Sequence, residues 1–128
     1  MAGYSGTPLP QKLGIKAGSR VRLARPPDGF ARSLGIVARA RGDADVIVVF
    51  SRTIAELQRD FRRLRRSLQQ SGGLWVAWPK RASGVPTDLD EGVVRRYGLA
   101  QGLVDNKVCA IDDTWSGLRF VVRLSDRR

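Results

Sequence analysis

The residues whose types could do chemistry are concentrated in two short segments that contain all three tryptophans. Trp75 and Trp78 lie in the run LWVAWPKRASGVPTDL, and Trp115 lies in the run DDTWSGLRF. Prolines, glycines, Lys80 and acidic residues are interleaved with them. Segments this rich in turn-forming and charged residues usually mark a functional site or a tightly constrained turn. Tryptophans that only pack in a core do not need prolines, glycines and charged residues beside them. The blocks indicate where a site would lie, but they do not specify a reaction.

An anion site or a nucleophile would have to be built around Lys80. The run Trp78-Pro79-Lys80 offers a cationic donor and an aromatic wall to an anionic ligand. A structural interpretation is favoured, in which Trp78 packs in the core, Pro79 ends a strand and Lys80 is solvated. Ser83 or Ser116 would form a serine–lysine nucleophile only with a desolvated lysine within hydrogen-bonding distance. We therefore assign no catalytic residue.

Asp112 and Asp113 are candidate ligands for a divalent ion, because carboxylates are ligands that magnesium prefers. Adjacent acids on an extended segment point apart, however, and the sequence offers no obvious third ligand. Bonding to nearby backbone amides in a turn is the favoured interpretation, with an ion pair to Lys80 or Arg119 as a further structural alternative. We expect no metal site. Cys109 lies in an apolar run and is expected to be an inert core thiol.

The composition excludes several kinds of chemistry. The sequence has no histidine, which rules out a Ser-His-Asp triad, a Cys-His pair and a histidine-bearing zinc site. A single cysteine allows no disulfide within the chain and suits a reducing cytosol. No apolar stretch approaches a membrane span, and the run MAGYSGTPLPQK lacks the apolar core of a signal peptide. We expect a cytoplasmic protein with no membrane contact.

The net charge of +11 is distributed unevenly along the chain. Residues 1–70 contain 14 Lys and Arg against 5 Asp and Glu, whereas residues 71–128 contain 9 against 7. The basic charge and the tryptophan segments are therefore separate features. The run RDFRRLRRSLQQ carries five arginines away from its apolar stripe: Arg59, Arg62, Arg63, Arg65 and Arg66. Either this is a solvated helix face, or it contacts an anionic partner, with Arg20, Arg22, Arg39 and Arg41 as extensions.

The apolar pattern predicts the elements that must position these residues. Leu9 to Ile15 is a short helix ended by Gly14, and the strand from Ser19 to Arg25 follows it. The run VIVVF after Asp45 is typical of a strand buried on both faces. Arg22, in the middle of the first strand, suggests that this strand is partly exposed.

A longer helix begins at the capping box formed by Thr53 and Glu56. Its apolar stripe continues to Leu68, and the glycines of Ser71-Gly72-Gly73 are expected to end it before the strand LWVAW. Thr87 is expected to cap the next helix, which Gly102 ends. The last two strands are predicted at Val108 to Ile111 and Leu118 to Val122.

The predicted order is β-α-β-α-β-α-β-β in one domain spanning residues 1–128, with 1–8 and 125–128 loose. Strands alternating with helices imply a mainly parallel sheet. The expected fold is a three-layer α/β sandwich with about five strands and a C-terminal antiparallel hairpin. Four loops would then meet at the carboxyl edge of the sheet. They would form a ligand cleft from Asp28, Ser51, Arg52, Trp78, Lys80, Asp88, Asp112, Asp113, Trp115 and Ser116.

Two resemblances add to this interpretation. Four runs resemble a bacterial family known as domain-of-unknown-function family 3052: MAGYSGTPL, KLGIKAGSRV, LWVAWPKRASGV and GLVDNKVCAIDDTWSGLRF. Because that family is uncharacterised, the resemblance does not indicate which activity to expect. LGIKAGSRVRLA and SLQQSGGLWVAW are similar to passages of the Rossmann-like methyltransferases. The loop Arg25-Pro26-Pro27-Asp28-Gly29 departs from the Gly-x-Gly loop of those enzymes, and the strand that would supply an acid for the cofactor ribose is missing. The resemblance therefore implies a shortened relative without a cofactor.

Two functions remain open at this point. The leading one is a non-enzymatic binding module on a degenerate methyltransferase-like fold. Its anionic partner would be nucleic acid or an acidic protein surface, bound by Arg59, Arg62, Arg63 and Arg66. The alternative is a small enzyme or ligand sensor that uses the cleft around Lys80, Asp113 and Trp115.

Overall fold

The computed structural model describes residues 6–39 and 41–128, and within these ranges the chain has an α/β fold. The strands are β1 (Val21–Ala24), β2 (Ala44–Phe50), β3 (Leu68–Pro79), β4 (Leu103–Ala110) and β5 (Trp115–Val122). The α-helices are α1 (Leu9–Leu13), α2 (Phe30–Leu34), α3 (Ile54–Arg66) and α4 (Glu91–Ala100). Short 3-10 turns occupy Arg81–Ser83 and Leu124–Asp126. No helix in the described ranges is long and apolar enough to cross a membrane.

The five strands form one mixed sheet in the order β1-β2-β3-β5-β4. Strands β1, β2 and β3 are parallel, whereas β5 pairs antiparallel with both β3 and β4. Because β5 is the reversed strand, β4 runs in the same direction as β3. The loops that follow β1, β2, β3 and β4 therefore all lie at one edge of the sheet, as the sequence predicted.

Strand β2 is buried on both faces, which confirms the interpretation of its apolar run. Ile47 and Val49 belong to one core cluster, together with the α3 residues Leu57, Phe61 and Leu64. The alternate residues of β2 belong to a second cluster, which also contains residues of α1 and α2. Side chains alternate between the two faces of a strand, so β2 separates two apolar clusters.

Helix α3 begins where the sequence predicted but ends earlier. The Thr53 Oγ1 accepts a hydrogen bond from the Glu56 amide at 3.1 Å, and the Glu56 Oε1 accepts one from the Arg52 amide at 2.8 Å. The helix ends at Arg66, so the prediction that it continues to the glycine pair was wrong. Leu68, assigned from the sequence to the helical stripe, is instead the first residue of β3.

Gly72 and Gly73 lie within β3, where neighbouring atoms leave no room for a side chain. A Cβ on Gly72 would lie 2.6 Å from the carbonyl oxygen of Asp45 in the neighbouring strand. A Cβ on Gly73 would overlap the guanidinium of Arg119. Glycine within a strand often marks such a close approach. The same residues that resemble a helix exit therefore let β3 extend toward its N-terminus against β2.

Other boundaries also differ from the predictions. Asp90 caps α4, because its Oδ1 accepts a hydrogen bond from the Val93 amide at 2.8 Å. Thr87 is not the cap, because it lies in the loop before Asp90. Its hydroxyl donates to the Arg52 carbonyl at 2.6 Å and accepts from the Leu89 amide at 3.0 Å. Gly102 follows the helix with φ +90°, the left-handed conformation expected at a helix exit. Strands β4 and β5 both begin earlier than predicted, because they pair along most of their lengths.

Arg22 is buried, so the expectation that it marks an exposed strand was wrong. Its guanidinium donates a hydrogen bond to the Ser67 hydroxyl at 2.7 Å, which links β1 to the end of α3. Arg39 forms a parallel bridge with Arg22 on the outer side of β1. Arg22 therefore supports the fold and is not available to a partner.

The packing of α4 on β5 depends on a glycine. A Cβ on Gly98 would overlap the ring of Phe120, which is fully buried. We expect Gly98→Ala to lower the free energy of unfolding by about 1–3 kcal/mol, because the added methyl overpacks the core. Urea denaturation measures this change.

Gly92→Ala in the same helix is the matched control. The nearest atom to its added Cβ is the flexible tip of Arg96 at 3.3 Å. We expect this variant to be unchanged or up to about 1 kcal/mol more stable. Equal stability of the two variants would contradict the packing described for Gly98.

Candidate functional site

A first cleft, the β1–β2 cleft, opens where β1 and β2 end. Its volume is about 360 Å³, and two prolines of the loop after β1 form part of its wall. The other lining residues are Arg25, Asp28, Phe50, Arg52, Glu56 and Trp115. Three of them, Asp28, Arg52 and Trp115, were predicted from the loop positions. The other lining residues were not predicted. Phe50 ends an apolar run that is typical of a core strand, and Glu56 belongs to the capping box of α3.

A second cleft, the Trp78 cleft, lies between the end of β3 and the segment before α4. Its volume is about 310 Å³, and its wall includes Arg81, Thr87, Leu89 and Asp90. Trp78 is itself almost fully buried in the core cluster on the α3 side. The packing role of Trp78 and its position in a cleft wall are therefore compatible.

Lys80 lines neither of these two clefts. Its backbone amide donates a hydrogen bond to the Thr114 carbonyl at 2.7 Å, and the residue is half-buried. The Ser83 hydroxyl donates to the Lys80 carbonyl at 2.6 Å, which directs its proton to the backbone. Ser116 pairs with Trp78 across β3 and β5. This geometry gives no support to a serine–lysine nucleophile.

Two of the acids predicted for the cleft accept hydrogen bonds from backbone amides. The Asp112 Oδ1 accepts hydrogen bonds from the amides of Thr114 at 2.8 Å and Trp115 at 2.7 Å, which shapes the β4–β5 turn. The Asp88 Oδ1 accepts one from the Ile54 amide at 2.8 Å, at the start of α3. Asp113 is exposed. Among the described residues there is no group of three acids or other ligands that could hold a metal ion.

Ser51 is placed at the end of β2 but is buried beneath the edge. Its residue is 1% exposed, and its hydroxyl oxygen has no hydrogen-bond partner within the described part of the chain. Ser51 lines neither the β1–β2 cleft nor the Trp78 cleft.

The basic surface of α3 consists of exposed side chains. Arg59, Arg62, Arg65 and Arg66 are exposed, and none forms an ion pair with another described residue. Arg63 differs, because its guanidinium pairs with Asp60 at 3.2 Å. We call the residues Arg59, Arg62 and Arg66 the α3 arginine face. Their cationic charge is uncompensated by the described acids.

Several acids are paired with arginines outside the α3 arginine face. The Arg20 guanidinium bonds both carboxylate oxygens of Asp45 and lowers the pKa of that carboxyl. Arg25 pairs with the buried Asp60 at 2.5 Å, and Arg95 pairs with Asp105 at 2.9 Å. Of the basic residues predicted as extensions of the α3 surface, Arg20 is therefore neutralised and Arg22 is buried. Only Arg39 and Arg41 remain exposed.

Tyr97 of α4 is an aromatic residue beside the α3 arginine face that the sequence interpretation missed. Its ring packs edge-on against Phe61 at a centroid distance of 5.2 Å. Burial raises the pKa of the Tyr97 hydroxyl, and the positive charge of Arg62 partly offsets this shift. Helical spacing from Val93 and Val94 would have placed Tyr97 on the packed side of α4, but only the structure shows that α3 is its neighbour.

We expect Asp112→Ala to lower the free energy of unfolding by about 1–3 kcal/mol, because two backbone amides lose their acceptor. The adjacent Asp113→Ala is the control, and it should change stability by no more than about 0.5 kcal/mol. Urea denaturation of both variants measures the difference. Equal losses would show that the turn does not depend on the Asp112 carboxylate.

Comparisons with known proteins assign no family to this site. No protein-family model matches the chain, and no curated protein matches it significantly. The two clefts and the α3 arginine face are therefore the features that bear on the function.

Proposed function

We propose that the chain is a non-enzymatic binding module whose α3 arginine face contacts an anionic partner, nucleic acid or an acidic protein surface. The supporting observation is that Arg59, Arg62 and Arg66 lie close together on one helix, are exposed and form no ion pair with another described residue. A partner with negative charge would supply the missing compensation. Other exposed cations, such as Lys16, Arg32 and Arg81, also lack ion pairs, so the proposal rests on the close spacing of three such arginines on α3.

The spacing of the face favours a phosphate backbone. Arg59, Arg62 and Arg66 follow the three- and four-residue spacing that places side chains on one side of a helix. At 1.5 Å per residue they span about 10 Å of helix axis. One DNA strand presents a phosphate about every 3.4 Å along its axis, so this span corresponds to about three phosphates. Arginine also presents a planar set of donors that suits phosphate oxygens.

Helix stability explains only part of this charge. Arg63, Arg65 and Arg66 lie in the last turn of α3, where cations interact favourably with the negative end of the helix dipole. Arg59 and Arg62 lie before that turn and gain little from the dipole. Partner binding therefore explains the presence of Arg59 and Arg62 better than the helix dipole does.

We further propose a three-layer sandwich with a C-terminal hairpin, of the degenerate methyltransferase-like type. The two core clusters on opposite sides of β2 and the antiparallel pairing of β4 with β5 support this architecture. The loop after β1 contains two prolines, which supports the proposal that no cofactor binds there as in those enzymes. The alternative of an enzyme or sensor around Lys80, Asp113 and Trp115 has less support. Of these three residues, only Trp115 lines the β1–β2 cleft.

Fluorescence anisotropy with labelled single- and double-stranded oligonucleotides across a salt series tests the proposal. We expect binding that weakens steeply as salt rises. Replacing all three residues of the α3 arginine face with Gln should reduce the salt slope by roughly three, about one for each lost phosphate contact. Arg63 is left unchanged because its pairing with Asp60 belongs to the fold.

A triple variant at Lys16, Arg32 and Arg81 removes the same charge from other surfaces. These side chains are exposed and form no ion pair with another described residue. We expect this control to retain most of the salt slope. An equal loss in both variants would mean that net charge alone drives binding. If acidic peptides bind and oligonucleotides do not, the partner is a protein surface.

A further inference from the structure

The β1–β2 cleft lies at a position where the fold itself creates an opening. The helix that follows β1, α2, contributes Phe30 and Leu34 to one core cluster. The helix that follows β2, α3, contributes its apolar stripe to the other cluster, on the opposite face. Where neighbouring parallel strands send their connections to opposite faces, a crevice opens beyond their carboxyl ends. The β1–β2 cleft is this crevice.

The floor of the cleft is aromatic and rigid. Trp115 and Phe50 pack edge-to-face at a centroid distance of 5.1 Å, and Phe30 packs against Phe50 at 4.8 Å. Phe50 and Trp115 are 1% and 5% exposed, so their positions are fixed by the core. A ligand entering the cleft would therefore contact the two prolines and the small accessible part of Trp115, with Phe50 beneath them as a fixed support.

Arg52 supplies the cation of the cleft. Its guanidinium carbon lies 5.9 Å from the centroid of the Trp115 ring, and Arg52 forms no ion pair with another described residue. Its backbone is held on both sides, because its amide donates to Glu56 and its carbonyl accepts from Thr87. The guanidinium therefore stands over an aromatic surface with donors available for a carboxylate.

The other charged residues of the cleft restrict the ligand. Arg25 has φ +55°, a conformation that is uncommon for a residue other than glycine, and it pairs with Asp60 and Glu56. Its charge is thereby compensated, and it forms a fixed wall. Asp28 is exposed at the rim and would repel a second negative charge. A ligand with a single anionic group is therefore favoured over one with two.

We propose that the β1–β2 cleft binds a small planar monocarboxylate, with its carboxylate on Arg52 and its planar body against Pro26, Pro27 and the accessible part of Trp115. The volume of about 360 Å³ is at the lower end of the range of roughly 300–1,000 Å³ for ligand sites. It suits a compact metabolite and is too small for a dinucleotide. This site is separate from the α3 arginine face, so either proposal can fail while the other stands.

NMR titration with benzoate and with indole-3-carboxylate tests the site, read at the indole N–H of Trp115 and the side-chain Nε–H of Arg52. We expect saturable shifts at both resonances in the millimolar range. Benzamide has nearly the same shape as benzoate without its charge, and it should bind at least tenfold more weakly. Phthalate, which carries two carboxylates, should also bind more weakly than benzoate.

Arg52→Gln is the decisive variant, because the side chain is exposed and can change without disturbing the core. We expect it to weaken benzoate binding at least tenfold. Arg81→Gln, at an exposed arginine of the Trp78 cleft, is the matched control and should bind benzoate like the unaltered chain. The proposal is overturned if neither carboxylate gives a saturable shift, if benzamide binds as well as benzoate, or if Arg52→Gln has no effect.

Discussion

Burial of β2 on both faces is the constraint on which the rest of the structure depends. Its residues from Val46 to Phe50 are all nearly inaccessible, and they alternate between the two core clusters. Each face must be covered by helices, since apolar surface left in water would cost about 25 cal/mol per Å². Helix α3 covers one face, and α1 and α2 cover the other. The crevice between β1 and β2 and the outward side of α3 both follow from this arrangement.

The allocation of negative charge is the second constraint. Twelve acidic residues are available for 23 basic ones. Several acids stabilise the fold itself: Asp60 holds Arg25 beside the cleft, and Asp45 holds Arg20 at the start of β1. Others bond backbone amides, as Asp88 and Asp90 do at the starts of α3 and α4. The α3 arginine face receives none of these acids, and it places three unpaired cations close together on one helix.

The sequence predicted those parts of the fold that local patterns determine. The capping box at Thr53, the apolar run of β2 and the end of the first helix at Gly14 are local features, and the structure confirms them. The end of α3 was mispredicted because Gly72 and Gly73 have the same signature in a helix exit and in a crowded strand. Only the approach of Asp45 and Arg119 decides between the two.

The candidate sites depend still more on contacts between distant residues. The loop positions placed Asp28, Arg52 and Trp115 at one edge of the sheet, because the ends of parallel strands meet there. No local pattern could show that Arg25 pairs with Asp60, 35 positions away, or that the Asp88 carboxylate accepts a hydrogen bond from the Ile54 amide. Pairing of this kind depends on tertiary packing, and it decides which charges remain available.

Mapping of backbone amide shifts during titration with an oligonucleotide tests the central claim most directly. If the α3 arginine face binds nucleic acid, the perturbed amides will cluster along the exposed side of α3, around Arg59, Arg62 and Arg66, while those of the β1–β2 cleft stay unchanged. Perturbations spread evenly over the basic surface, or centred on the loops at the carboxyl edge, would contradict it.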